Sequence, residues 1–319
     1  MTGPLVIRRA TTDEDLAALA AVNNATTPDE PTTLEDMRWA DTTYPGGVRF
    51  LAERDGETVG AATVGRIYVQ APSYPDLWGT LGVLAHARRQ GVGRRLLDAI
   101  ARVAAERGKT GMQLRCRDHR REAIDFLAHR GFSEFERQKA VRLDLADRTP
   151  PPPVVPPDGL QLTSLAARPD LVQGVHAVAL ETFADIPGGD APMEVGELAE
   201  FRARDVDKPG IPPGAFIVAV EAGTDRVAGY ASLQLLPGRE DVAWHDMTAV
   251  SRAWRGRGLA TTMKLASIAW AVEHGLSALE TGNDEANSPM RAVNARLGYR
   301  PLPDEVIMRG PLIGAMMDG

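Results

Sequence analysis

The chain has 319 residues, 44% of them hydrophobic and 25% charged, and its 36 basic and 43 acidic side chains leave a net charge of −7. That length suits two domains of ordinary size, each able to bury a core without disulfides. The acidic balance argues against nucleic acid as a main partner. The single cysteine, Cys116, excludes an internal disulfide and a cysteine-based zinc site. No leader-like N-terminus and no run of about 20 apolar residues is present, so a cytoplasmic chain with no membrane partner is predicted.

In chain order, Val6-Ile7 opens a strand, and Asp13 to Val22 suits a helix with an acidic first turn. Arg49 to Ala52 and Val59 to Val69 read as hairpin strands around Asp55-Gly56, followed by a strand from Trp78 to Val83. Gly93 to Arg107 has helical periodicity and stops at Gly108. Met112 to Arg115 reads as a strand, Arg121 to His129 as a helix closed by Gly131, and Phe135 to Leu145 as an alternating strand pair. In the second half, strands are predicted at Phe216 to Val220, Val227 to Leu236 and Trp244 to Val250. A helix over Leu259 to Glu273, a strand over Ala278 to Thr281, a helix over Pro289 to Leu297 and a last strand over Val306 to Arg309 complete the chain. Antiparallel strands first and strand–helix units later predict an α/β class with a mixed, mostly antiparallel sheet in each half.

The two halves are copies. A shift of 167 places lays Val83 on Val250, Arg88 on Arg255, Gly91 on Gly258, Glu106 on Glu273, Gly108 on Gly275 and Gly131 on Gly298, without a gap. Between them runs Pro150-Pro151-Pro152-Pro153-Val154-Val155-Pro156-Pro157, which cannot join a helix or a central strand. The expected division is therefore a domain at 1–147, a proline-rich linker at 148–158, and a domain at 159–319.

Each copy centres on a strand, a basic glycine-rich turn and a helix: Val83 through Arg88-Arg89-Gln90-Gly91-Val92-Gly93, and Val250 through Arg255-Gly256-Arg257-Gly258-Leu259-Ala260. Small residues let the backbone approach a ligand, and the free N–H groups and dipole of the helix start favour anions. Arginines at the rim add charge-assisted bonds to phosphate. The expected ligand is a pyrophosphate. Neither copy has the Gly-Lys-Ser/Thr of a Walker A loop or the third glycine of a dinucleotide fingerprint, for Leu96 and Thr261 stand at that place.

The remaining pattern, Arg/Gln-x-x-Gly-x-Gly/Ala after a valine-ended strand, resembles the GNAT superfamily of N-acetyltransferases, strongest over Leu81 to Phe132 and Thr248 to Tyr299. The resemblance implies two tandem domains of that fold, acetyl-CoA as co-substrate, no metal, and direct attack by an amine of a small molecule. It implies cofactor contacts at Leu81, Val83, Arg88, Arg89, Gly91, Val92, Gly93 and Arg94 in the first copy. In the second these are Thr248, Val250, Arg255, Gly256, Arg257, Gly258, Leu259, Ala260 and Asn287. The family's tyrosine, which protonates the leaving thiolate, falls on Asn294 in the second copy and Leu127 in the first. Family members also carry a base on the central strand. A period of two puts Trp244, Asp246 and Thr248 on the face of Val250, so Asp246 is the candidate base or amine anchor, or else a strand carboxylate paired with a nearby cation. His245 would share that face only if a bulge intervened. Glu280 and Asp284 lie near the same cleft, and Phe183, Asp185 and Phe201 fall where the family builds its acceptor site. These residues favour the C-terminal copy as the catalytic one. An active first copy and a non-catalytic acyl-CoA sensor stand as alternatives, and a monomer and a homodimer are both compatible.

Overall fold

The computed structural model describes residues 3–146, 148–149 and 151–312. Pro150 of the proline run and the terminal Met316 and Met317 lie outside them. In chain order the elements are β1 (Val6–Arg9), α1 (Asp13–Thr26), α2 (Leu34–Thr43), β2 (Val48–Arg54), β3 (Glu57–Arg66), β4 (Asp76–Val83), α3 (Val92–Glu106), β5 (Gly111–Arg117), α4 (Arg121–Ala128) and β6 (Ser133–Asp144). The second half carries β7 (Leu160–Ser164), α5 (Val172–Thr182), α6 (Leu198–Phe201), β8 (Phe216–Glu221), β9 (Val227–Leu236), β10 (Arg239–Val250), α7 (Leu259–Glu273), β11 (Ala278–Asp284), α8 (Ser288–Leu297), β12 (Arg300–Pro301) and β13 (Glu305–Pro311).

The chain forms two compact units, residues 1–137 with 304–319, and residues 138–303. In the first unit the strands run β1-β2-β3-β4-β5-β13. In the second they run β7-β8-β9-β10-β11-β6, with β12 also on β6. Only β4 with β5 and β10 with β11 pair in parallel. The two sheets have the same strand order, and each takes its sixth strand from the opposite half of the sequence. Gln138 to Asp144 lie along Asp284 to Ala278, and Glu305 to Pro311 lie along Arg117 to Gly111. The division expected at 148–158 therefore does not follow the compact units. The chain passes between units at 137/138 and 303/304, and the proline run lies inside the second, leading from β6 to β7. Prolines mark where backbone pairing stops, not which strands pair across long sequence separations. The expected strand pair at 135–145 is likewise one long strand, β6.

The cores follow from alternation and helical spacing. In unit 1, α3 buries Leu96, Leu97, Ile100, Val103 and Ala104 on one sheet face, with Leu127 of α4, while α1 lays Leu16, Leu19 and Val22 on the other with Leu51 and Ala61. In unit 2, α7 puts Leu259 and Met263 against Ala219, Ala228 and Ala231, and α5 puts Val175, Val178 and Ala179 against Val218 and Tyr230 from the opposite side. Helices α1 and α2 begin with reciprocal capping boxes, Thr12 with Asp15 and Thr33 with Asp36. Asn287 caps α8 by accepting from the Met290 amide at 3.3 Å. Helices α3 and α7 have no side-chain cap. Both start at a left-handed glycine, Gly91 (φ 82°) and Gly258 (φ 81°).

Candidate functional site

The uncapped starts of α3 and α7 are the repeat made physical. Each of these 15-residue helices leaves its first N–H groups without a side-chain partner, and those groups with the dipole form an anion site. The preceding turns match atom for atom. Arg88 Nε donates to the Val83 carbonyl at 3.1 Å, and Arg255 Nε donates to the Val250 carbonyl at 3.1 Å. A side chain built at Gly91, Gly256 or Gly258 would meet no heavy atom within 4 Å, so the space above each turn is open. One difference is informative. Gly256 has φ 74°, and its counterpart Arg89 holds φ 61°, a left-handed conformation that an arginine adopts only under local constraint.

The central strands fork in both units. The parallel pairing of β10 with β11 ends at Trp244 and Glu280, and that of β4 with β5 ends at Gly79 and Leu114. Beyond the fork of unit 2 lies a cavity of about 690 Å³. Thr248 and Val250 of β10, Arg255, Gly256, Gly258, Leu259 and Ala260 of the turn, and Asn287 at the start of α8 all line it. The turn residues, the strand end and the cap are therefore brought together as expected. Arg257 is not in the lining; its guanidinium lies 4.8 Å from the Trp254 ring centroid. The wall also includes Asp185, which reaches Arg252 at 2.7 Å and Arg255 at 2.8 Å. Those hydrogen bonds hold its carboxyl down at about 2. Phe183 and Phe201 are core residues.

At the first copy's fork the chain folds over itself. A side chain on Gly82 of the β4 arm would sit 2.6 Å from Thr26 Oγ1, and Arg120 donates to the Thr26 carbonyl at 2.5 Å. Glu30, four residues on, pairs with Arg117 at 2.5 Å and Arg115 at 3.4 Å on the β5 arm. Of the residues expected there, Val92 is 1% exposed in the core with Leu81 packed beside it, Gly93 abuts Phe126, and Arg94 lies 3.8 Å from Asp98. Burial pushes the Cys116 thiol up to about 11, so it is a spectator, not a nucleophile.

The face assignment on β10 needs a correction. His245 faces Leu233 and Thr248 faces Ala231, so three steps on β10 match two on β9. This bulge breaks the period of two. His245 turns to the α7 side, where its Nδ1 lies 3.4 Å from the Tyr299 hydroxyl, and burial and the Lys264 charge hold its pKa well below the usual imidazole value. Asp246 and Met247 turn to the α5 side. Met247 packs on the α5 core, and Asp246 reaches Lys208 Nζ at 3.7 Å. Asp246 thus does not share the face of Thr248 and Val250. A strand count cannot place a bulge, because the extra residue is set by the neighbouring strand.

The other carboxylates have structural partners. Glu280 accepts from Arg142 at 2.8 Å and Arg239 at 2.6 Å; burial alone would raise its pKa, but these bonds outweigh it and lower it. Asp284 Oδ1 accepts from the Ala286 amide at 2.8 Å, shaping the turn into α8. Asn294, where the family has tyrosine, is buried, and its Nδ2 donates to Asn283 Oδ1 at 2.7 Å. Sequence reading missed Asp205, in the π-turn that continues α6 over Arg202–Val206. Burial, and then the negative charge of Asp246, raise its carboxyl to about 6. No motif marks it, since a lone aspartate in an irregular segment has no spacing to read.

The acetyltransferase (GNAT) family model matches the chain twice, at residues 16–132 and 180–299. Mycothiol acetyltransferase of Thermobispora bispora is 26% identical, with 97% of this chain and 100% of that one covered. The enzyme of the same name from Pseudarthrobacter chlorophenolicus is 27% identical over 75% of this chain and 72% of its own. Among solved structures, a tandem GNAT protein from the clavulanic acid biosynthesis pathway superposes with a TM-score of 0.76 at 23% identity, covering 97% and 99% of the two chains. A GCN5-related N-acetyltransferase from Sphaerobacter thermophilus gives 0.73 at 19% identity over 98% and 97%. With the doubled turn, the doubled fork and the doubled family match, the chain belongs to the GNAT family as a tandem member and is an N-acetyltransferase.

Proposed function

We propose that the second copy carries the activity, moving an acetyl group from acetyl-CoA to an amine of a small molecule. The observation that carries this reading is the open cavity at the second fork, where the uncapped start of α7 and Arg255 border one space. At the first fork, residues 26–30 tie both arms of the equivalent opening. The amides of α7 would grip the diphosphate, with the acyl-pantetheine arm running along Thr248 and Val250 into the fork. The named relatives act in the chemistry of mycothiol, which supports a small acceptor.

The chemistry follows from the bulge. A neutral amine attacks the thioester carbon, and negative charge develops on the carbonyl oxygen. The extra residue between His245 and Thr248 takes main-chain N–H groups out of the ladder, and such a donor can hold that oxygen. The carbon–sulfur bond then breaks, the thiolate leaves and is protonated, and the amine's own proton passes to a carboxylate. Holding both substrates in one geometry supplies up to about 7–11 kcal/mol. A carboxamide has no proton to give at neutral pH, so the role assigned to Asn294 is to hold Asn283 and the β11 arm. Asp246 anchors the acceptor amine on the α5 side of the bulge.

The test is release of CoA from acetyl-CoA across a panel of small amines. Gly258→Glu forces a side chain into φ 81° and places a negative charge at the α7 start, so kcat/KM is expected to fall about 100-fold or more. Gly91→Glu is expected to keep it within about threefold. Loss on Gly91→Glu with retention on Gly258→Glu would make the first copy the active one.

A further inference from the structure

The bulge of β10 presses on a polar pocket that no motif announces. On β9, Tyr230 and Ser232 point to the α5 side. Tyr230 pairs with Ala249, and Ser232 lies opposite the bulge between the Leu233–His245 and Ala231–Thr248 pairs. Both are buried, at 2% and 1% exposure, and neither hydroxyl has a hydrogen-bond partner. A buried hydroxyl left unpaired costs about 1–3 kcal/mol, so two side by side mark a place built for a polar ligand. Two carboxylates face the same place. Asp246 comes from the bulge, and Asp205 from the turn after α6, and both act electrostatically on the Tyr230 hydroxyl. The turn is held there by a close approach. The Leu235 amide donates to the Gly210 carbonyl at 2.6 Å, and Gln234 Nε2 reaches the Pro209 carbonyl at 3.4 Å.

We infer that Asp205 is the group that takes the proton from the acceptor's ammonium, while Asp246 holds that ammonium beside it and Tyr230 and Ser232 bind a hydroxyl or amide of the same acceptor. This rests on the second copy being the active one and adds the proton acceptor and the acceptor class, a primary amine with a neighbouring polar group. The balance is simple. The ammonium gives one proton to the Asp205 carboxylate and becomes the neutral nucleophile; after acyl transfer the carboxylic acid returns that proton to water. Two neighbouring carboxylates do not ionise independently, and the one more deeply desolvated keeps its proton to higher pH. The charged groups acting on Asp205 are Asp246 on β10, and Glu200, Arg204 and Lys208 on its own segment. The first two carboxylates and burial favour the acid form, and the cations oppose it. Asp205 at about 6 is thus ionised at neutral pH yet basic enough to accept a proton.

The test pairs kinetics with a measurement that needs no acceptor. With the amine that releases CoA fastest from the panel, wild-type kcat/KM should rise with pH through an acidic limb near 6. Asp205→Asn should lower it about 100-fold or more and remove that limb, while Asp205→Glu keeps the limb at reduced rate. Acetyl-CoA affinity should stay within about threefold in both, which separates this failure from failure of the cofactor site. In protein with ¹³C-labelled aspartate carboxyls, the resonance missing from Asp205→Asn should titrate near 6 and shift down in Asp246→Asn. Full turnover with an unchanged limb in Asp205→Asn would overturn the inference. So would a carboxyl titrating in the ordinary range, a result that decides the matter even if no amine in the panel reacts.

Discussion

Lys264 is the residue whose environment differs most from its type. It lies on α7 with 2% exposure, makes no ion pair or hydrogen bond with a described residue, and has its Nζ 5.4 Å from the Tyr299 ring centroid. Its counterpart in the first copy is Leu97, an ordinary core leucine. Burial lowers the ammonium from 10.5 to about 7. The unfolded chain therefore binds more protons between those values, and stability rises with pH across that window; below about 7 the penalty is constant and full. Lys264→Leu should stabilise the protein at pH 7 by about 2–4 kcal/mol, with the gain shrinking towards pH 10. Urea unfolding at the two pH values checks this. A variant less stable than wild type at pH 7 would mean that the ammonium is satisfied in place.

Residues of this kind also show what the sequence could carry. The turns Arg88 to Gly93 and Arg255 to Ala260 were legible because glycine and arginine at fixed spacing have one physical meaning beside a helix start. Asp205 and the unpaired hydroxyls of Tyr230 and Ser232 were not, for their chemistry comes from burial by distant strands. Asp246 was found, but its face was misassigned, because alternation assumes a strand without a bulge.

At the scale of elements, the acceptor side depends on how the turn after α6 is fastened to β9. Gly210 sits at φ 83°, and a methyl group added there would lie 2.5 Å from the Leu235 carbonyl oxygen. Gly210→Ala should therefore cost about 1–3 kcal/mol and loosen the segment that carries Asp205 and Lys208. The expected signature is a raised KM for the amine with acetyl-CoA affinity unchanged, read by steady-state kinetics and calorimetry. A change in acetyl-CoA affinity alone would contradict the division of the site into a cofactor side and an acceptor side. The helices α3, α7 and α8 were legible to within one or two residues, since amphipathic spacing and a terminal glycine fix them. Helix α2 and strand β7 were missed; each is short, and its ends are set by caps and edge pairing.

At the scale of the whole molecule, the exchange of sixth strands decides what can be cut. Strand β13 gives unit 1 the buried Val306 and Met308, and β6 gives unit 2 Ala140 and Leu143. The linear halves 1–147 and 159–319 each lack a strand from one sheet and carry an orphan strand from the other. Expressed separately, they should be insoluble or lack a cooperative transition, whereas residues 138–303 should unfold cooperatively on heating. Cooperative folding of 159–319 alone would show that β6 is dispensable. The repeat made two domains legible, but not the exchange, because both sixth strands occupy equivalent places and the pattern within each copy is the same either way.

The most direct measurement is a crystal structure of the full chain with acetyl-CoA. The diphosphate is expected on the amides at Gly256 to Ala260 and the thioester beside the bulge between His245 and Thr248. Cofactor density only at the Gly91 turn, with the second fork empty, would contradict the assignment of catalysis to the C-terminal copy.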